Sequence, residues 1–193
     1  QYRWDFNDDG TWDTGYSSSP TVSHTWNDDY SGSVKVEVFD GFDTDTDTAT
    51  VTVNNVAPVL ALDPVVVVNE DGTASLTGTI TDPGTLDTFT LDVNWGDPLL
   101  PNNVEQYLYG ASGTGSQTFT LTHQYLDDNP TATPSDTHTI FVKVTDDDSG
   151  SHDGSTTVVV NNLPPEISSF TSDATFEDRA LVDETVTVFA SFS

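Results

Sequence analysis

Thr50-Val51-Thr52-Val53-Asn54-Asn55-Val56-Ala57-Pro58 returns later in the chain as Thr157-Val158-Val159-Val160-Asn161-Asn162-Leu163-Pro164-Pro165. Each copy is a β-branched run that ends in an Asn-Asn pair and then in proline, which cannot donate to a ladder in mid-sheet. Both therefore read as a strand leaving a sheet for a linker. Two other matches keep the same order: His24-Thr25-Trp26 with His123-Gln124-Tyr125, and Val34 to Val38 plus Asp40 with Ile140 to Val144 plus Asp146. Shared order and comparable spacing make this an internal repeat, the signature of an array of small units.

The segments between these landmarks alternate apolar and polar residues with period two, and Gly, Asp, Asn and Pro separate them. Such a pattern predicts an all-β chain. Strands are expected at Thr21–Trp26, through Val34, Val36 and Val38, and at Thr48–Val53, with Asp40–Asp47 as an acidic turn. Residues 56–162 form the one unit present from end to end. Its inward faces are Ala74, Leu76, Gly78 and Ile80 on one strand and Phe89, Leu91 and Val93 on another, with a further strand around Tyr107–Tyr109. Residues 1–55 supply only the later strands of such a unit and residues 163–193 only the opening ones, where Val186, Val188, Ala190 and Phe192 line up with Ala74, Leu76, Gly78 and Ile80.

Tyr2-Arg3-Trp4-Asp5-Phe6 with its Asp-Gly turn, the His-x-aromatic step and the Val-x-Val-x-Val strand ending in Asp resemble PKD (polycystic kidney disease) domains. The family's Trp-Asp-Phe-Gly-Asp-Gly signature falls on Trp4, Asp5, Phe6, Asn7, Asp9 and Gly10 with one inserted Asp; in the second unit it falls on Val93, Asn94, Trp95, Gly96, Asp97 and Pro98, where Val93 replaces the tryptophan. The resemblance implies tandem immunoglobulin-like β-sandwiches on a cell surface or a secreted protein. A fold of this kind does not fix a function.

Four Lys and Arg stand against 32 Asp and Glu, a formal net charge of −28. That balance argues against nucleic acid, whose phosphates require clustered cations, and against anionic membrane surfaces. A compact fold so charged repels itself, and bound divalent cations relieve the repulsion. A merely very soluble or halophilic surface is the alternative. Cysteine is absent, so no disulfide holds the fold. Neither a bilayer-spanning apolar run nor a signal-peptide pattern occurs, and the chain reads as a mature or excised piece of something longer.

Calcium is the expected cofactor, on the spacing of oxygen donors. Asp5, Asn7 and Asp9 occupy alternate positions before Gly10, the Thr11 carbonyl follows, and Asp13 comes at the ninth place, which is most of a calcium loop. Tyr16 stands where an EF-hand would carry its bidentate Glu, and an acidic β-turn without metal is the alternative. Because the loops of a sandwich cluster at its two ends, two junctions should collect carboxylates from distant parts of the chain. One gathers the opening loop, Asn27-Asp28-Asp29 and Asn54-Asn55 against Asp82, Asp87 and Asp146 to Asp148; the other gathers Glu70, Asp71, Asp97, Asp127, Asp128, Asn161 and Asn162. Like charges meeting at a contact repel unless an ion lies between them.

Catalysis is not expected. The four histidines show no metalloprotease spacing, no Gly-x-Ser-x-Gly elbow occurs, and His24 and His123 occupy equivalent structural positions before an aromatic. Trp4, Trp26 and Trp95 read as core, which leaves Trp12 as the candidate exposed sugar platform. The expected role is a segment of an extracellular fibre or adhesin whose neighbouring copies continue it head to tail. The alternative is an accessory module of a secreted enzyme that binds a surface polysaccharide or a protein.

Overall fold

A computed structural model describes residues 1–100, 104–129, 131–172 and 187–192. Among them all regular structure is β, and no helix is long and apolar enough to cross a membrane. Thirteen strands follow in chain order: β1 (Tyr2–Asp5), β2 (Tyr30–Phe39), β3 (Thr44–Val53), β4 (Val59–Leu62), β5 (Val68–Asn69), β6 (Gly72–Thr81), β7 (Phe89–Asn94), β8 (Val104–Tyr109), β9 (Ser116–Tyr125), β10 (Ser135–Asp146), β11 (Ser151–Asn161), β12 (Ile167–Ser172) and β13 (Val188–Phe192).

Strands β4 to β11 build one sandwich. A three-stranded sheet in the order β4-β6-β9 faces a five-stranded sheet in the order β5-β11-β10-β7-β8. Division of the strands between the sheets in this order is the immunoglobulin-like arrangement. Alternation puts Ala74, Leu76 and Ile80 of β6 and Phe119 and Leu121 of β9 inside, opposite Leu91 and Val93 of β7, Val142 and Val144 of β10 and Val158 and Val160 of β11. Gly78 interrupts the face of β6 for a reason of space: a Cβ there would lie 2.5 Å from the Ala61 carbonyl oxygen and 2.6 Å from the Phe119 ring. The short β5 runs parallel to the end of β11, with Val68 beside Val160 and Asn69 beside Asn161. The strand expected near Tyr107–Tyr109 is β8, on the edge of the larger sheet.

Strands β1, β2 and β3 form a separate sheet whose register matches that of β7, β10 and β11. Trp4 stands opposite Val36 and Val36 opposite Asp47, just as Val93 stands opposite Val142 and Val142 opposite Gly154. The aromatic packing matches too. Phe6 stacks on His24 at 4.0 Å with Trp26 edge-on to that His, and Trp95 stacks on His123 at 5.1 Å with Tyr125 edge-on. Tyr125 is then covered by the His138 ring, whereas Trp26 is covered by Tyr30, whose ring bends over Gly32 into the space a side chain at 32 would fill.

Two expectations need correction. The acidic turn after β2 is confined to Asp40–Asp43, because Phe39 pairs with Thr44 and the hairpin closes there. Thr21–Trp26 is irregular and forms no strand. Its counterpart β9 is held extended by ten rungs to β6, and among the described residues no strand lies beside Thr21–Trp26 in that role. The apolar side of the β1–β3 sheet consequently borders an open cavity of about 560 Å³ lined by Trp4, Phe6, His24, Trp26, Val34 and Val51.

At the other end, β12 and β13 pair antiparallel with Ile167 opposite Phe192, and Ile167, Phe170, Val188 and Phe189 are exposed. The part of the expected last strand from Ala180 to Val186, and Ser193, lie outside the described residues.

Candidate metal centre

Carboxylates converge where the β1–β3 sheet meets the sandwich. Asp82 follows the last residue of β6, Asp87 lies two residues before β7, Asp146 ends β10, Asp148 sits in the hairpin from β10 to β11, and Asp28 comes from the turn before β2. Asp82, Asp87 and Asp146 follow from the alternation, each standing two residues from an inward apolar residue, Ile80, Phe89 and Val144, and so reaching the rim of the core; Asp28 and Asp148 are brought in by turns. The loops hold them by local bonds. Asp82 Oδ1 accepts from the Gly84 amide at 2.7 Å, and Asp146 Oδ1 accepts from the Gly150 amide at 2.6 Å, in a hairpin where Ser149 takes a positive φ of 74°. A Cβ on Gly84 would lie 2.5 Å from both oxygens of Asp87, so only glycine leaves that carboxylate its place.

The seam is bonded as well as adjacent. The Leu86 amide donates to the Asn27 carbonyl at 3.2 Å, and the Asn55 amide nitrogen donates to Asp146 Oδ2 at 2.8 Å, which ties both the turn and the linker of the first block to the second. Within it, Asp82, Asp87 and Asp146 each place one oxygen within 4.8 Å of the others, and so do Asp28, Asp87 and Asp148. Asp87 belongs to both groups. Two ligands of one calcium at about 2.3–2.6 Å lie no more than roughly 5 Å apart, so either group can close around a single ion.

Burial makes the arrangement expensive without a counter-charge. Asp82, Asp87 and Asp146 are 5 %, 1 % and 6 % exposed, and neither oxygen of Asp87 nor Oδ2 of Asp82 has a hydrogen-bond partner. Buried polar atoms are nearly always satisfied, and each exception requires a physical reason. Burial, followed by the neighbouring Asp28 and Asp82 carboxylates, pushes the Asp87 pKa up to about 7; burial also raises Asp82, against the pull of the Gly84 amide. The donors are all hard oxygens, suited to calcium, magnesium or manganese and not to metals that favour thiolate. The residues fit a hard divalent ion.

The opening loop places its donors differently. Asp5 is buried and accepts from the amides of Asn7 and Asp9 at 3.3 Å and of Gly10 at 3.0 Å; Asp9 accepts from Thr11 at 2.7 Å, and Asp13 from Phe6 at 2.6 Å. The Thr11 amide bond lowers the pKa of Asp9, and the Asn7 side chain adds to the effect. The corresponding loop of the sandwich makes the same turns, with Asn94 accepting from Gly96 at 2.9 Å and Asp97 from Leu99 at 2.9 Å. Asp5, Asn7, Asp9, Thr11 and Asp13 share one loop, where most of these oxygens cap backbone amides.

At the far end of the sandwich the expected set divides. Glu70 lies with Asp127 and Asp128, one oxygen of each within 4.8 Å of the others. Asp97 instead meets His123 Nε2 at 3.1 Å, with both side chains buried. Trp12 has the Arg3 guanidinium 4.3 Å above its ring, so this face is taken.

No family model matches the chain, and no curated protein does. Among solved structures, a fragment described as surface layer protein SbsC, domains 4–9, matches at 18 % identity over 83 % of this chain and 24 % of that one, with a TM-score of 0.33. The likeness is too slight to carry a functional argument, and the chain spans about a quarter of that fragment.

Proposed function

We propose that this chain is a structural segment of an extracellular or cell-surface fibre or adhesin, built from tandem PKD-like units and stiffened by calcium at the seam between them. The observation that carries the reading is Asp87, a carboxylate with both oxygens unpartnered, buried at the contact of two blocks and within an ion's reach of Asp82, Asp146, Asp28 and Asp148. Such a group is stable when protonated or when a cation lies against it, and calcium in an extracellular setting supplies the second state. Since Asp28 comes from one block and Asp87 from the other, an ion bound to both resists bending at the seam. No catalytic role is assigned.

Head-to-tail continuation is supported by two sheet faces that no other sheet covers among the described residues. The β1–β3 sheet matches the register of β7, β10 and β11, and β12–β13 pair antiparallel as β4 and β6 do, with Ile167 opposite Phe192 where Leu60 stands opposite Ile80, although a bulge between Ile167 and Ser169 shifts the later rungs by one residue. Neighbouring copies or repeats would bring the two faces together as one sandwich.

Small-angle scattering of the whole chain in calcium and in chelator tests the stiffening. The expected result is a longer, straighter particle in calcium and a more bent, more variable one in chelator, with far-UV circular dichroism unchanged. Identical scattering profiles would remove the stiffening role.

A further inference from the structure

We infer that Glu70, Asp127 and Asp128 form a second calcium site at the opposite end of the sandwich, one that fastens the chain where it leaves β11. The three residues come from two elements. Glu70 follows β5, and Asp127 and Asp128 follow β9. One oxygen of each lies within 4.8 Å of the others, a spacing that a single calcium spans at its usual bond lengths. Asp128 is 5 % exposed and its Oδ2 has no hydrogen-bond partner, the same unsatisfied state found at the seam.

The repeat gives the position further meaning. Trp26 and Tyr125 are equivalent aromatics, each edge-on to its own histidine, and the Asp-Asp pair two residues beyond is Asp28-Asp29 in one block and Asp127-Asp128 in the other. The same turn of the fold thus brings carboxylates to both ends of the sandwich. An open cavity of about 410 Å³ beside Asp128, reaching Thr131 and Asn162, leaves room for the waters that complete a calcium shell. Magnesium, whose shorter bonds of about 2.0–2.1 Å would require the three oxygens to draw closer together, is the competing ion for the test.

Glu70 connects the site to the outgoing chain. Its Oε1 accepts from the Leu163 amide at 2.8 Å, and its own amide donates to the Asn161 carbonyl at 2.9 Å. An ion drawing on the Glu70 carboxylate fixes that side chain and with it the first linker residue after β11. The site shares no residue with the seam and is separable from it by mutation.

Calorimetric titration of the full chain with calcium chloride, for the wild type, Asp128→Asn and Asp87→Asn, tests the inference, together with the NMR position of the Leu163 amide. The expected result is that Asp128→Asn binds one equivalent fewer and its Leu163 amide ignores calcium, while Asp87→Asn loses binding elsewhere and keeps the Leu163 response. Magnesium at the same concentration should move Leu163 at least tenfold less. An unchanged stoichiometry in Asp128→Asn, or a Leu163 response that survives in it, overturns the inference. Should only Asp128→Asn alter binding, the seam reading fails and this one stands. If Asp128→Asn does not fold, Glu70→Gln, which keeps a carbonyl oxygen for the Leu163 amide, serves the same comparison.

Discussion

Asp87 sets the behaviour of the seam in the absence of cation. Its folded pKa, near 7, lies above the value of about 3.9 for an unfolded Asp, so the folded state holds the extra proton between those limits. In chelator, stability should therefore fall as pH rises from about 4 to about 7 and level off above. Glu37 has the opposite sign. Arg3, bonded at 2.6 Å, and then the Tyr16 hydroxyl hold its pKa down, so its contribution is present above the ordinary Glu pKa and is lost as pH drops through the lowered value. Thermal melts in chelator from pH 4 to 8 should show the Asp87 slope, and Asp87→Asn should flatten it, raise the midpoint at pH 8 and reduce the gain from calcium to the part supplied by the Glu70–Asp128 site. A steeper slope in Asp87→Asn would mean another group controls the seam. At this scale the sequence discloses which carboxylates reach the ends of the strands, because alternation places them there. Which oxygens remain free is set by three-dimensional partners: the Asp9 oxygen that a spacing argument assigns to a metal lies on the Thr11 amide, and Asp97 lies on His123.

Alternation marks most of the strands in the sequence, but Thr44–Asp47, acidic enough to read as a turn, is strand because it pairs with Val36–Phe39. Val34 to Val38 and Ile140 to Val144 alternate and lie in ladders, whereas Thr21–Trp26 alternates equally well and is irregular, since a strand is a property of a pair and not of a segment. Hydrogen exchange of this chain should show the alternate amides of 119–125 that bond to β6 protected and amides 21–26 exchanging at least a hundredfold faster; equal protection would mean that some other strand pairs there. The turn after β7 gives a second test. Gly96 has a φ of 68° and a Cβ at this position would strike the Thr139 carbonyl. Gly96→Ala should cost about 1–3 kcal/mol in denaturant melts, whereas Gly113→Ala, at a φ of 67° but with open space around it, should cost about 1 kcal/mol. The spacing Asn94-Trp95-Gly96-Asp97 marks a turn in the sequence, but the close approach of β10 that makes glycine necessary does not show there.

Over the whole molecule, charge and topology act on the same places. With 32 acidic side chains and four basic ones, acidic loops that meet repel each other, and the loops at the seam hold the unsatisfied carboxylates Asp82 and Asp87, while Asp128 is left unsatisfied at the far end. A chain drawn out by its two ends enters the sandwich through β4 and β5 and leaves through β11, and β5 and β11 are parallel. Tension therefore slides one strand along the other, and the rungs at Val68–Val160 and Asn69–Asn161, with the Glu70 amide on Asn161, bear the load together. The antiparallel pair β10–β11, pulled apart at its open end between Ser135 and Asn161, would give way one rung at a time. Single-molecule pulling through Pro58 and Asn162 should accordingly need a higher rupture force than pulling through Ser135 and Asn161, and this directional toughness would let a thread of such units stretch at its linkers before any sandwich tears.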